Sequence, residues 1–162
     1  MPPGLELKHL KTLTSHYTSI NALAFSPSAE LLASGDDNGY LLVYATATWE
    51  LLRRYQKPHQ IQAILWHPHE IAISIGCSNG DISQILLSEH AENNQQWVNS
   101  VPGCVHVLDT TRDGTQLAVA YGNKAALVSQ KKIGMGFGKD SPLAIAVKGS
   151  ADHLSAEYAL HS

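Results

Sequence analysis

The sequence predicts an all-β chain: antiparallel four-stranded blades of a β-propeller whose ring is incomplete. Three observations carry this. Ile20–Pro27 (INALAFSP) overlays Ile61–Pro68 (IQAILWHP), and Gly35–Leu41 (GDDNGYL) overlays Gly76–Ile82 (GCSNGDI), both at an offset of 41 residues. A looser third copy, Val105–Ala120, follows after 44 residues, with Val105, Leu108 and Leu117 on the places of Ile61, Ile64 and Ile73. Within each copy, short apolar runs are split by turn residues, and a period of about 40–45 residues built from short strands is the mark of propeller blades.

In the first blade Leu5–Leu13 alternates as an outer strand, and Ile20–Phe25, Leu31–Gly35 and Tyr40–Tyr44 follow, separated by the turn-rich Ser26–Glu30 and Asp36–Gly39. Alternation predicts half-buried strands, and turn clusters of this kind join them tightly. Asn38-Gly39 is the strongest turn signal, since both residues tolerate positive φ, and Asn79-Gly80 repeats it one period later. The second blade takes Glu50–Tyr55 as its outer edge, then Ile61–Trp66, Ile71–Ile75 and Asp81–Leu87. His67-Pro68 ends the innermost strand, because proline restricts its predecessor and donates no ladder hydrogen bond. The polar Ser88–Gln96 absorbs the three extra residues before the third copy as a surface loop.

From Val128 onward the pattern decays. Gln130–Asp140 carries glycines at the alternate positions 134, 136 and 138, Pro142–Lys148 reads as one more strand, and Gly149–Ser162 has no strand alternation and leans weakly helical. The expected division is therefore 1–128 as blades (about 5–58, 59–100 and a partial 101–128), with 129–162 as an atypical glycine-containing C-terminal segment.

Composition narrows the function. Charged residues make up 15% of the 162 residues, against about 25% in ordinary globular chains. With 11 Lys+Arg against 14 Asp+Glu, the net charge of -3 gives no overall attraction for phosphate backbones or anionic membranes. Cys77 and Cys104 are too few for a disulfide framework. Met1–Lys8 lacks the apolar run of a signal peptide, and no apolar stretch approaches the ~18 residues of a membrane span, so an intracellular chain is expected, cytoplasm and nucleus being undistinguished.

No chemical motif stands out. His59, His67, His69 and Cys77 crowd into 19 residues, but the strand reading puts them in separate turns, where they cannot converge on zinc. Gly134–Ser141 is glycine-rich, yet Ile133 stands where a phosphate loop needs its first glycine and Asp140 follows Lys139, so a connector is expected and no nucleotide or other cofactor. The pairs Arg53-Arg54 and Lys131-Lys132, with Lys8, Lys11 and Lys57, read as solvated faces, which makes RNA the alternative partner and not the expected one. No spacing joins a nucleophile, a base and its orienting group, and Ser155 beside Asp152 and His153 is a local coincidence. No enzyme is expected. Trp66 takes the place of Phe25 and is a core aromatic, while Trp49 and Trp97 lie in or beside polar connections, packed or serving as interface anchors.

Leu23–Pro27 (LAFSP), Leu32–Gly35 (LASG) and Asn38–Tyr44 (NGYLLVY) resemble the WD40 repeat, and the resemblance spans about residues 5–128. It implies a hydrogen-bonded network in each blade. In the first these positions are His16, Ser34, Asn38 in the place of an Asp, and Tyr44 in the place of a Trp. In the second they are His59 and Asn79, with Ile75 and Ile85 at the Ser and Trp positions, so no second network is expected. Phe25, Leu32, Leu41 and Val43 are expected to hold the first blade by apolar burial. The resemblance further implies a non-catalytic protein-interaction scaffold, or a fragment of one, with a protein partner of unknown identity. The alternatives are a truncated product without independent function and an RNA-binding surface. Three copies cannot close a ring of the four to eight blades usual in propellers, which predicts open blade edges and self-association.

Overall fold

The computed structural model describes residues 4–87, 96–129 and 147–148. The strands are β1 (Ile20–Phe25), β2 (Leu31–Asp36), β3 (Tyr40–Ala45), β4 (Leu51–Gln56), β5 (Ile61–Trp66), β6 (Ala72–Cys77), β7 (Asp81–Leu86), β8 (Gln96–Ser100), β9 (Val105–Thr110), β10 (Gln116–Tyr121), β11 (Lys124–Ser129) and β12 (Val147–Lys148). They form three four-stranded antiparallel meanders, β1–β4, β5–β8 and β9–β12, each strand bonded to its neighbour in sequence. Among the described residues the sheets stack in chain order and do not close into a ring.

Turn chemistry explains the shared design. Asp36 Oδ1 accepts the Asn38 and Tyr40 N–H groups at 3.0 and 2.9 Å, and Asn79 Oδ1 accepts the Asp81 N–H at 3.1 Å. In both turns only the glycine takes positive φ, Gly39 at 84° and Gly80 at 98°, and the preceding asparagines do not. Glycine is needed for a second reason. A Cβ on Gly39 would fall on the Lys57 carbonyl oxygen and one on Gly80 on that of Val101, because the chain leaving each sheet returns over the turn. Lys57 N–H donates to Gly39 O at 2.8 Å, and Val101 N–H to Gly80 O at 2.9 Å.

Two strand assignments are corrected. Leu5–Leu13 is not a strand: no described strand pairs with it, and Leu5, Leu7 and Leu10 are 103%, 99% and 81% exposed. Alternation makes a segment fit for a sheet edge, but the ladder forms only where an edge is offered. The Glu50–Tyr55 run does not edge the second sheet. As β4 it pairs with β3, from Tyr40↔Gln56 to Tyr44↔Leu51, because the tight turn closed by Ala45 N–H to Glu50 O at 3.0 Å folds it straight back. The outer strand of the second sheet is β8, which takes in the backbone of Trp97, and that of the third is β12, paired with Leu127 and Val128. Of the expected loop Ser88–Gln96, residues 88–95 lie outside the described residues and Gln96 instead opens β8; residues 130–146 and the tail from Gly149 also lie outside them.

Each sheet has a leading face, turned toward the sheet before it, and a trailing face. On the second sheet Ile61, Trp66, Ile73, Ile75, Cys77 and Ile85 form the leading face and pack on Ala33, Leu41 and Val43 of the first. The third repeats this, with Val105, Leu108, Leu117 and Val119 packed on Ala63 and Ile82 of the second. The trailing partners are mixed in size, Ala33 and Ala63 beside Leu41, Val43 and Ile82, and a glycine stands where the leading residue comes closest. Gly35 lies under Ile61 and Gly76 under Val105, so close that a Cβ on either glycine would collide with that side chain. Trp66 is 5% exposed, and its indole N–H donates to Ala24 O at 2.9 Å across the interface. Phe25, its equivalent on the first sheet, is 59% exposed. The expectation that Phe25 holds the blade by burial is therefore corrected: no described sheet covers the leading face of the first, whereas Leu32, Leu41 and Val43 are buried.

Candidate functional site

On the leading face of the first sheet, which no other described sheet covers, lies the most organised polar cluster of the described residues. Ser34 and Asp36 are two apart on β2, so both point to the same side of the sheet. The chain entering β1 is tied down by the Asp37 N–H donating to Ser19 O at 3.0 Å, and it carries His16 over them. His16 Nδ1 lies 2.7 Å from Asp36 Oδ2 and His16 Nε2 lies 2.6 Å from Ser34 Oγ. An ionised carboxylate can only accept, so Nδ1 donates to Asp36, and in the neutral ring Nε2 accepts the Ser34 hydroxyl. Ser34 and Asp36 are 2% and 1% exposed.

Burial pushes the Asp36 carboxyl upward. The His16 hydrogen bond, the Tyr40 N–H, the His16 charge and the Asn38 N–H outweigh it, and the net pKa falls below the usual carboxylate value. Carboxylate, imidazole and hydroxyl are thus connected as in a catalytic triad. The three residues are brought together over separations of 18 and 20 positions, and the sequence reading, which set His16 and Ser34 in one network, took Asn38 for its acid position. The Ser34 hydroxyl is sealed inside a strand, and a nucleophile must reach its substrate.

The expected network positions are placed as follows. His16 and Ser34 meet in the cluster, but the acid is Asp36. Asn38 is exposed and contributes only its backbone N–H. A carboxylate offers His16 a stronger, charge-assisted acceptor than an amide would. Tyr44 is 2% exposed on the same face of the sheet, and its hydroxyl finds no partner among the described residues. In the second sheet Ile75 and Ile85 are fully buried in the apolar core, His59 is exposed, and Asn79 caps its turn.

The residue corresponding to His16 is Lys57, 41 positions on, just as Cys77 corresponds to Asp36. Lys57 is 8% exposed and within electrostatic reach of Cys77 and Asp81. Burial lowers the Lys57 pKa against the pull of those two groups. Burial, helped by the Asp81 charge and by Cys104 and opposed by Lys57, pushes the Cys77 thiol up to about 11. The constant offset carried this equivalence; the histidine two residues later drew the reading to His59.

Other grouped side chains are occupied. His67 Nδ1 accepts the His69 and Glu70 N–H groups at 3.0 and 2.9 Å, and His69 Nε2 donates to Arg112 O at 2.8 Å. Among the described residues no three or more His, Cys, Asp or Glu side chains gather as a metal site. Among the described residues no helix is long and apolar enough to cross a membrane.

Residues 7–44 match the family model described as WD domain, G-beta repeat. No curated protein matched the chain. The matched stretch holds His16, Ser34 and Asp36 together with β1, β2 and β3 as far as Tyr44. Residues 7–44 thus match a WD40-type repeat, and the three stacked antiparallel meanders are consistent with an incomplete propeller.

Proposed function

We propose that the chain is a non-catalytic protein-interaction scaffold, with its stacked sheets as the rigid part and its exposed apolar side chains and turns as the contact surface. One contrast carries the reading. The only triad-like cluster among the described residues is sealed from solvent, while Leu5, Leu7, Leu10, Tyr17, Leu23 and Phe25 stand 59% exposed or more ahead of and on the first sheet. Soluble surfaces seldom leave large apolar side chains in such a run unless something covers them. The cluster fits a positioning role, since it pins the chain entering β1 and thereby sets where this apolar segment emerges.

The test is titration calorimetry of the purified chain against protein partners recovered by affinity capture and then purified. Saturable binding should fall at least tenfold on Leu7→Asp with Leu10→Asp and stay unchanged on Ser34→Ala. Hydrolytic activity lost on Ser34→Ala would overturn the reading. So would RNA binding that weakens steeply with added salt, since phosphate contacts release counterions.

A further inference from the structure

The turn between the first two strands is built alike in all three sheets, but a different side chain holds it in each. Ser26, His67 and Thr111 stand at equivalent places, and each donates its backbone N–H to the carbonyl five residues on, at 2.8, 2.9 and 3.0 Å. In the first and third sheets the side chain is a hydroxyl: Ser26 Oγ accepts the Leu31 N–H and Thr111 Oγ1 the Gln116 N–H, both at 3.1 Å. In the second it is an imidazole, whose Nδ1 accepts the His69 and Glu70 N–H groups at 3.0 and 2.9 Å. A ring nitrogen that accepts carries no proton, so the proton of the neutral His67 ring is on Nε2. Hydroxyls keep their protonation between pH 5 and 8, whereas imidazoles change theirs in that range.

We propose that the His67 turn is a pH-sensitive latch between the second and third sheets, closed while the imidazole is neutral and released when Nδ1 takes a proton. Protonation sets a third N–H against two that already point at the same place, so the turn gives up both bonds or the ring swings away. Either movement reaches the third sheet. The ring lies so close to the buried Gly114 that a Cβ there would collide with it, and His69 Nε2 donates to Arg112 O at 2.8 Å in the same facing turn. The titratable and charged groups around the ring are His69 and Glu70 on its own turn, Glu30 across the hollow shared with the first sheet, and Arg112 and Asp113 beside Gly114. None of the carboxylates replaces the lost acceptor, because the two N–H groups are aimed at Nδ1 itself, and Asp113 Oδ1 already accepts the Thr111 and Thr115 hydroxyls. His16 does not respond in the same way: its Nδ1 donates to Asp36 already, and a proton on Nε2 is met by the Ser34 hydroxyl, which rotates to accept. The unfolded chain binds a proton at His67 that the closed turn refuses, so the contribution of the latch is present above the ordinary histidine value near 6.5 and is lost as pH falls below it. This inference goes beyond the scaffold reading and does not depend on it.

Hydrogen exchange read by peptide mass spectrometry tests it on the full chain, His67→Asn and His67→Ala, at pH 7.5 and pH 5.5 and corrected for the intrinsic pH dependence of exchange. Asparagine places Oδ1 where Nδ1 stood and accepts backbone N–H groups without titrating. In the unaltered chain the peptide over residues 67–72 should exchange roughly five- to tenfold faster at pH 5.5, the loss expected for an ordinary hydrogen bond, and the peptide over 111–116 should move in the same direction. His67→Asn should stay protected at both pH values, and His67→Ala should exchange fast at both. Nitrogen NMR of the imidazole needs no variant and should show Nδ1 unprotonated at pH 7.5, gaining its proton over the range in which exchange accelerates. Equal exchange at the two pH values in the unaltered chain, the same acceleration in His67→Asn, full protection in His67→Ala, or a protonated Nδ1 at pH 7.5 would overturn the proposal.

Discussion

The leading faces of the first and second sheets occupy equivalent positions and are finished in opposite ways. On the second sheet the row that starts from Ile75 and Cys77 is apolar and is buried by the first sheet. On the first, the same row holds Ser34 and Asp36, and His16 lies across them. A face with a neighbouring sheet gains its stability from area removed from water, roughly 1.5–3 kcal/mol for each large side chain fully buried. A face without one must satisfy its buried polar groups locally, with hydrogen bonds that contribute about 1 kcal/mol each and 1.5–3 when one partner is charged. Buried position alone therefore says nothing about which kind of stabilisation a strand residue supplies.

The sharpest way to break this comparison is to truncate equivalent aromatics. Trp66→Ala should cost about 3–5 kcal/mol, since it opens a cavity between two sheets and removes the hydrogen bond to Ala24. Phe25→Ala should cost about 1 kcal/mol or less, because the ring is 59% exposed. Urea unfolding followed by tryptophan fluorescence for Phe25→Ala, and by circular dichroism for both, measures the difference. Equal losses would mean that the leading face of the first sheet is covered after all.

The next effect belongs to the polar cluster. Asp36→Ala leaves His16 and two backbone N–H groups without their acceptor and should cost about 2–3 kcal/mol at pH 7. The folded pKa of Asp36 lies below its unfolded value, so its contribution is fully present above the unfolded value near 4 and is lost as pH falls through the folded one. Urea midpoints taken from pH 7 downward should therefore draw together for the two proteins as pH falls below about 4. Parallel curves would show that Asp36 does not stabilise the fold through its charge.

The smallest effect is chemical. Cys77 is 2% exposed with its thiol held near 11, so at pH 8 it is both protonated and hidden, whereas Cys104 is half-buried. Brief alkylation of the native chain should modify Cys104 first, and both thiols should react in urea. Peptide mass spectrometry reads the order, and early labelling of Cys77 would contradict the apolar finish of the second sheet.

Local signals made much of this legible. The Ser26–Glu30 and Asp36–Gly39 turns, the runs between them and their recurrence 41 residues later follow from steric preferences that act within a few residues, and the strands appear where those signals stand. The cluster was half legible. His16 and Ser34 came from the resemblance, but Asp36 and Asn38 are two residues apart in one turn, and residue type alone did not say which would face the imidazole. Strand alternation puts Asp36 on the Ser34 side, a signal that was present and outweighed by the motif.

What the sequence by itself determined is the period, the turns and the all-β class, because these depend on backbone sterics and on spacing along the chain. Its tertiary structure decided the phase: a repeat has no inherent starting point, and only the hydrogen bonds between β3 and β4 assign Leu51–Gln56 to the first sheet and leave Leu5–Leu13 unpaired. It also decided that Phe25 is exposed and Trp66 buried. Burial is a property of what lies opposite, and two side chains at the same place in a repeat differ in it as soon as one sheet has a neighbour and the other has none.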